Sequence, residues 1–218
     1  MSTRVTRVIL GLTLMAAGCG GGGEGRIVDQ YFGALNAGDN QTLSSFAMVT
    51  FKEKVDKWSV TAASPEKRSP AVLADLVAKG KQLEGDVAAN KKAAGAYQLD
   101  NAATYNKYVD VKDKSKMPAN LQKFAEDWQK FEQTDKDLRR QISETKAAAE
   151  KERKNAQLSV GQVEGLDTMA GEIIDKSLDL ALTMKGEVKN YTMGLRKYEL
   201  TGQAGRGGRW VVQSLQPK

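Results

Sequence analysis

Two periods of apolar residues divide the chain. Ile27, Tyr31, Ala34 and Leu35, with Val28 and Phe32 beside them, repeat at helical spacing in "RIVDQYFGALNAGDNQTLSSF". Gly38 ends that helix, and Asp39 or Asn40 caps a second one carrying Leu43 and Phe46. A strand is predicted at Val55 to Ala62, before Pro65 and Pro70 break the chain. The middle then follows an alternating 3–4 spacing. It selects Leu73, Leu76, Gly80, Leu83, Val87, Asn90, Ala94 and Tyr97 within Val72 to Tyr108. Within Pro118 to Leu158 it selects Leu121, Phe124, Trp128, Phe131, Asp135, Leu138, Ile142, Thr145 and Ala149. This is a heptad seam, broken in polarity at Asp135 and Thr145. Pro118 suits an early helix position, and "VDVKDKSKM" before it reads as a polar turn. Two helices of this length, about 60 Å for forty residues, predict an antiparallel hairpin.

The period changes to two at the far end. Ile174, Leu178, Leu180, Leu182 and Met184 share one parity, and only Lys176 departs from it. Lys185-Gly186 turns the chain into "VKNYTMGLRKYEL", where Tyr191, Met193 and Leu195 share a face while Tyr198 and Leu200 have the opposite parity. A β-bulge near Arg196-Lys197 would reconcile the two sets. After "TGQAGRGG", the segment "RWVVQSL" supplies a last strand, completing an antiparallel meander. The expected class is α+β: a domain from residues 26–70 and 160–218, with a helical hairpin inserted at 71–159.

Residues 1–25 have a different character. Arg4 and Arg7 precede an apolar run, Val8 to Ala17, too short to span a bilayer. Such a pattern predicts a secretory signal peptide over residues 1–18. Cys19 is the only cysteine and so forms no intramolecular disulfide; Gly20 to Gly23 with Gly25 follow it as a tether, residues 19–25. Ala16-Ala17-Gly18-Cys19 resembles the lipobox of bacterial lipoproteins. The resemblance implies that the Cys19 thiol receives a diacylglyceryl group. Cleavage then falls just before it, and a further acyl chain joins the new amino terminus. Two or more chains hold a protein stably on a membrane. Loss of Arg4 and Arg7 takes the formal charge from +6 to +4. Gly20, where inner-membrane lipoproteins of the family carry aspartate, implies an outer-membrane anchor facing the periplasm.

"VDQYFGALNAGD" at one end, with "YTMGLRKYEL" and "GRWVVQSL" at the other, resembles the nuclear-transport-factor-2-like (cystatin-like) cone fold, in particular its small periplasmic lipoproteins. A long helical stretch here replaces a short connection of that family. The resemblance implies a curved sheet with an open mouth, lined in this chain by Tyr31, Trp58, Tyr191, Tyr198 and Trp210. The alternative is that these rings simply fill the core. Superfamily enzymes commonly use a histidine or an aspartate pair in the mouth. This chain has no histidine, and Asp29 and Asp39 fit a helix face and a cap better than a catalytic pair.

Missing histidine also removes the usual neutral-pH proton carrier, Ser-His-Asp and Cys-His arrangements, and the commonest transition-metal ligand. No P-loop or dinucleotide-binding glycine motif occurs. No catalytic residue, metal ligand or cofactor is therefore expected. Lys185 to Lys218 holds seven basic and two acidic residues, suited to anionic head groups or to protecting a sheet edge. Nucleic acid is a poor partner for an exported chain. Nine basic and eight acidic residues between Pro118 and Gln157 give the long helix a solvated outer face. Trp128 and Phe131, placed opposite Leu83 and Val87, are candidates for docking a partner protein or for pairing within the hairpin. The resulting expectation is a non-enzymatic, lipid-anchored interaction or structural protein of the cell envelope. The alternative is a periplasmic cone that binds a small apolar ligand, and behind it an envelope enzyme of the same superfamily. A pocket of roughly 300 Å³ or more with converging polar groups would favour ligand binding.

Overall fold

A computed structural model describes residues 23–113, 117–201 and 207–218. Cys19, the lipobox and the signal segment lie outside the described residues. Helix α1, Gly23–Ala37, buries Ile27, Val28, Tyr31, Phe32 and Ala34. It stops at Gly38, whose φ of 69° suits glycine and lets the Asp39 N–H donate to Ala34 O. Asp39 caps α2, Asn40–Phe46, where its Oδ1 accepts from the Thr42 N–H at 2.9 Å. Strands β1, Lys57–Ala63, and β2, Lys67–Pro70, follow. Helices α3, Leu73–Asp100, α4, Ala102–Asp110, and α5, Ala119–Val160, come next. Strands β3, Gly171–Met184, β4, Glu187–Leu200, and β5, Val211–Pro217, close the chain.

The five strands form one antiparallel, curled, open sheet, so the class is α+β. β1 and β2 lie one after the other along β3; β4 and β5 continue on its other side. One face carries Leu178, Leu180, Leu182 and Met184 from β3 and Tyr191, Met193 and Leu195 from β4. These pack against α1 and α2 in a first core. Each fully buried leucine there contributes about 1.5–3 kcal/mol. Lys176, the exception to the apolar row, is ion-paired with Glu24 of α1, its side chain only 14 % exposed. That hydrogen bond holds the Glu24 carboxyl below its ordinary range.

β3 and β4 pair without interruption from Gly171↔Leu200 to Met184↔Glu187. The bulge expected near Arg196-Lys197 is therefore absent. Tyr198 and its partner Ile173 point to the opposite face and are covered there, in a second core with Leu73, Ala149, Ala156 and Leu166. The parity switch thus records a second layer on the other side of the sheet. An extra residue does occur, but in β5. Gly194 faces Ser214 and Leu195 faces Val212, leaving Gln213 between them.

α3 and α5 run antiparallel. Gly80 sits beside Thr145, Lys146 Nζ lies 2.7 Å from Glu84, and the Asn90 amide donates to Phe131 O at 3.0 Å. The least exposed positions of α3 follow the 3–4 spacing, Leu73, Gly80 and Leu83 being buried. The first rod is not continuous to Tyr108, as the spacing predicts; it breaks at Asn101. There the backbone leaves helical geometry and the side-chain amide donates to Tyr97 O at 2.9 Å. α5 is 42 residues long, about 63 Å. Pro118 stands just ahead of it with extended ψ, as a residue without an N–H can.

Candidate functional site

The far end of the helical arm is aromatic. α4 folds against the start of α5, and six rings interlock: Tyr97, Tyr105, Tyr108, Phe124, Trp128 and Phe131. Tyr97 stacks on Phe124 at 5.3 Å between centroids, and Tyr105 meets Trp128 edge-on at 5.2 Å. Trp128 Nε1 donates to Glu132 Oε1 at 3.0 Å. Phe124 is buried, whereas the other five rings keep part of their surface in water. Leu99 and Val109 beside them are exposed. Burial raises the Tyr97 phenol above its ordinary value, and the charge of Asp127 adds to that.

Trp128 and Phe131 therefore do not face Leu83 and Val87. Phe131 meets Tyr97 at 5.6 Å, and Trp128 meets α4. The α3 residues that meet Phe131 are Asn90 and Tyr97, and Leu83 lies seven residues farther down the arm than Asn90. The ring cluster offers a wide amphipathic surface.

At its base, the arm is clamped to the sheet by charge. Arg196 of β4 donates from Nε and Nη2 to Asp175 of β3 at 2.7 and 3.0 Å, and from Nη1 to Glu152 of α5 at 3.3 Å. The Tyr198 hydroxyl donates to the other Glu152 oxygen at 2.7 Å. Burial raises the Tyr198 phenol above its ordinary value, and Glu152 pushes it the same way. Burial works against the Arg196 charge, but hydrogen bonds with Asp175 and Tyr198 outweigh it and the guanidinium is held protonated. Ser159 Oγ accepts from the Tyr198 N–H and donates to Arg209 O. Of this group the sequence singles out only Tyr198, as a mouth-lining ring, yet a signal for the residues of α5 exists. Carrying the 3–4 spacing beyond Ala149 lands on Glu152, Ala156 and Ser159, all buried.

The five aromatics assigned to a mouth do not meet in one cavity. Tyr31 is fully buried in the first core, where its hydroxyl donates to Val49 O and accepts from the Phe51 N–H. Trp58 leans on Phe32 and donates from Nε1 to Asp29 at 2.8 Å. Tyr191 meets Phe51 edge-on in that same core. Tyr198 lies across the sheet, in the second core. Trp210 is half-buried at the rim of a cavity of about 260 Å³ that Arg26, Lys197 and Arg209 also line, with Lys197 Nζ 5.2 Å from its ring centre. Among the described residues no group of three or more His, Cys, Asp or Glu could hold a metal, and no helix is long and apolar enough to cross a membrane. Compared with known proteins, the chain matches no family model, no curated protein and no solved structure.

Proposed function

We propose that this chain is a non-enzymatic, lipid-anchored interaction or structural protein of the cell envelope, attached through Cys19 and facing the periplasm. In this reading, residues 26–70 and 160–218 form a cone-type domain, and residues 71–159 are an inserted helical hairpin. The observation that carries it is the arm: a 42-residue α5, polar outside and ending in half-buried rings. Cys19 precedes Gly23 by four residues, which span at most about 14 Å. An acylated Cys19 thus keeps the sheet close to the bilayer, and the arm tip becomes the part with reach.

Two measurements test this. Labelled palmitate should follow the wild-type chain and be absent from Cys19→Ser; equal labelling of both would end the anchor reading. Cross-linking in intact envelopes should lose its protein adduct when residues 87–138 are replaced by a short Gly-Ser turn, and weaken with Leu99→Ser and Val109→Ser together. An adduct unchanged by both alterations would end the docking role. Thermal melting of each variant shows whether the body stays folded.

A further inference from the structure

Beside the clamp, arm and sheet do not close completely. A groove of about 480 Å³ lies between α5 and the outer face of β3, β4 and β5. We propose that this groove binds a small, net-neutral, amide-bearing molecule, such as a short uncharged peptide, whose N–H and C=O are read by Asn155 and Gln213.

Asn155 is 1 % exposed, lines the groove, and its Oδ1 has no hydrogen-bond partner among the described residues. Gln213 lines the same groove, and its Nε2 is buried and equally without a partner. A buried polar atom left unpaired is destabilising, and such atoms are few in folded proteins. The two needs are complementary: one atom wants a donor, the other an acceptor. An amide-bearing ligand carries both kinds of partner.

Three further features fit this occupant. Gln213 is the extra residue of β5, and a local register shift of this kind re-aims a side chain. Gly194 forms part of the floor, so that no side chain fills it; a Cβ there would stand 2.6 Å from Ser214 Oγ. Charge is balanced: Glu152 and Asp175 are both engaged by Arg196, Lys176 is paired with Glu24, and Lys151 adds a further cation at the rim. An ion gains little from such a wall, whereas Val72, Leu76 and Ala148 offer apolar surface to a ligand's methyl groups. The volume falls in the usual range for small-molecule sites. The inference is independent of acylation and of the arm tip.

Saturation-transfer NMR on the full chain tests it, with N-acetyl-alanyl-alanine amide as probe and trehalose as a hydroxyl-bearing comparison. The dipeptide amide should show transfer, at least tenfold weaker in Asn155→Leu and in Gln213→Leu. Both variants should melt at or above the wild-type temperature, because each removes an orphaned polar atom. Ala148→Trp, at an exposed position on the groove wall, should block the probe and leave melting unchanged. Absence of transfer up to the probe's solubility, transfer unchanged in all three variants, or binding of trehalose alone would each overturn the proposal. A fall in melting temperature for both leucine variants would also overturn it, since the two amides would then have partners inside the protein.

Discussion

Replacing Tyr198 by phenylalanine removes one oxygen and almost no volume, so it isolates the bond that ties α5 to the sheet. The hydroxyl donates to Glu152 at 2.7 Å, in a residue only 7 % exposed, and the remaining carboxylate oxygen is occupied by Arg196. Without the hydroxyl, a buried charged oxygen loses its short donor. Hydrogen bonds to charged groups contribute about 1.5–3 kcal/mol, so Tyr198→Phe should cost about 2 kcal/mol. In a chain of this size that is roughly 4–8 °C of melting temperature. The assay is urea unfolding followed by circular dichroism, with Tyr191→Phe as the control. The Tyr191 ring is buried in the first core and its hydroxyl makes no hydrogen bond among the described residues, so that change should stay within about 0.5 kcal/mol. A double-mutant cycle with Glu152→Gln should return a coupling of about 1 kcal/mol or more. If Tyr198→Phe costs less than about 0.5 kcal/mol, water reaches Glu152 and the clamp is not a sealed contact.

Other expectations concern backbone and pH. Gly85→Ala and Gly95→Ala, in α3 with nothing within 4 Å of the added methyl, should each stabilise by about 0.5–1 kcal/mol in urea unfolding. Gly171→Ala should do the reverse by more than about 2 kcal/mol, since φ is 152° and the methyl would stand 2.3 Å from Glu199 O. Stability should be flat between about pH 5.5 and 8, because the chain has no histidine. Glu24, Asp167 and Asp179 are held below their ordinary values by hydrogen bonds from Lys176, Arg153 and Lys218. Their contribution is present above the unfolded values near about pH 4 and is lost as pH falls through the lower folded ones. Tyr198 has the opposite sign: its raised value favours the fold below about pH 10, and this is lost on going further alkaline. Chemical unfolding across pH checks both limbs.

Much of the fold was legible because burial repeats. The apolar row from Leu178 to Met184 and the seam from Leu73 to Tyr97 each follow one period, and the structure places them at buried or half-buried positions. What failed was anything that depends on a second surface. Tyr198 reads as evidence of a bulge only when a strand buries a single face, and this one buries both. The Asn101 break carries no glycine or proline, only a local side-chain bond visible once the backbone is placed. The register of Trp128 is not legible because a heptad pattern repeats and so looks the same when slid along itself. Gln213 was invisible for a similar reason, since a strand pattern does not show which residue its neighbour skips.

Covering the sheet on opposite faces at opposite ends has a consequence for how this protein can be taken apart. β3 and β4 act as a common beam, with α1 and α2 bearing on one side near Leu180 and the arm bearing on the other near Ile173. A cut at residues 71 and 159 would strip Leu73, Ala149 and Ala156 from Ile173 and Tyr198, and would take Glu152 from Arg196. The seam between body and arm therefore runs across one end of β3 and β4 rather than through any loop. The arm is a graft that has grown into the wood, and it can be pruned from its tip but not lifted out at its root.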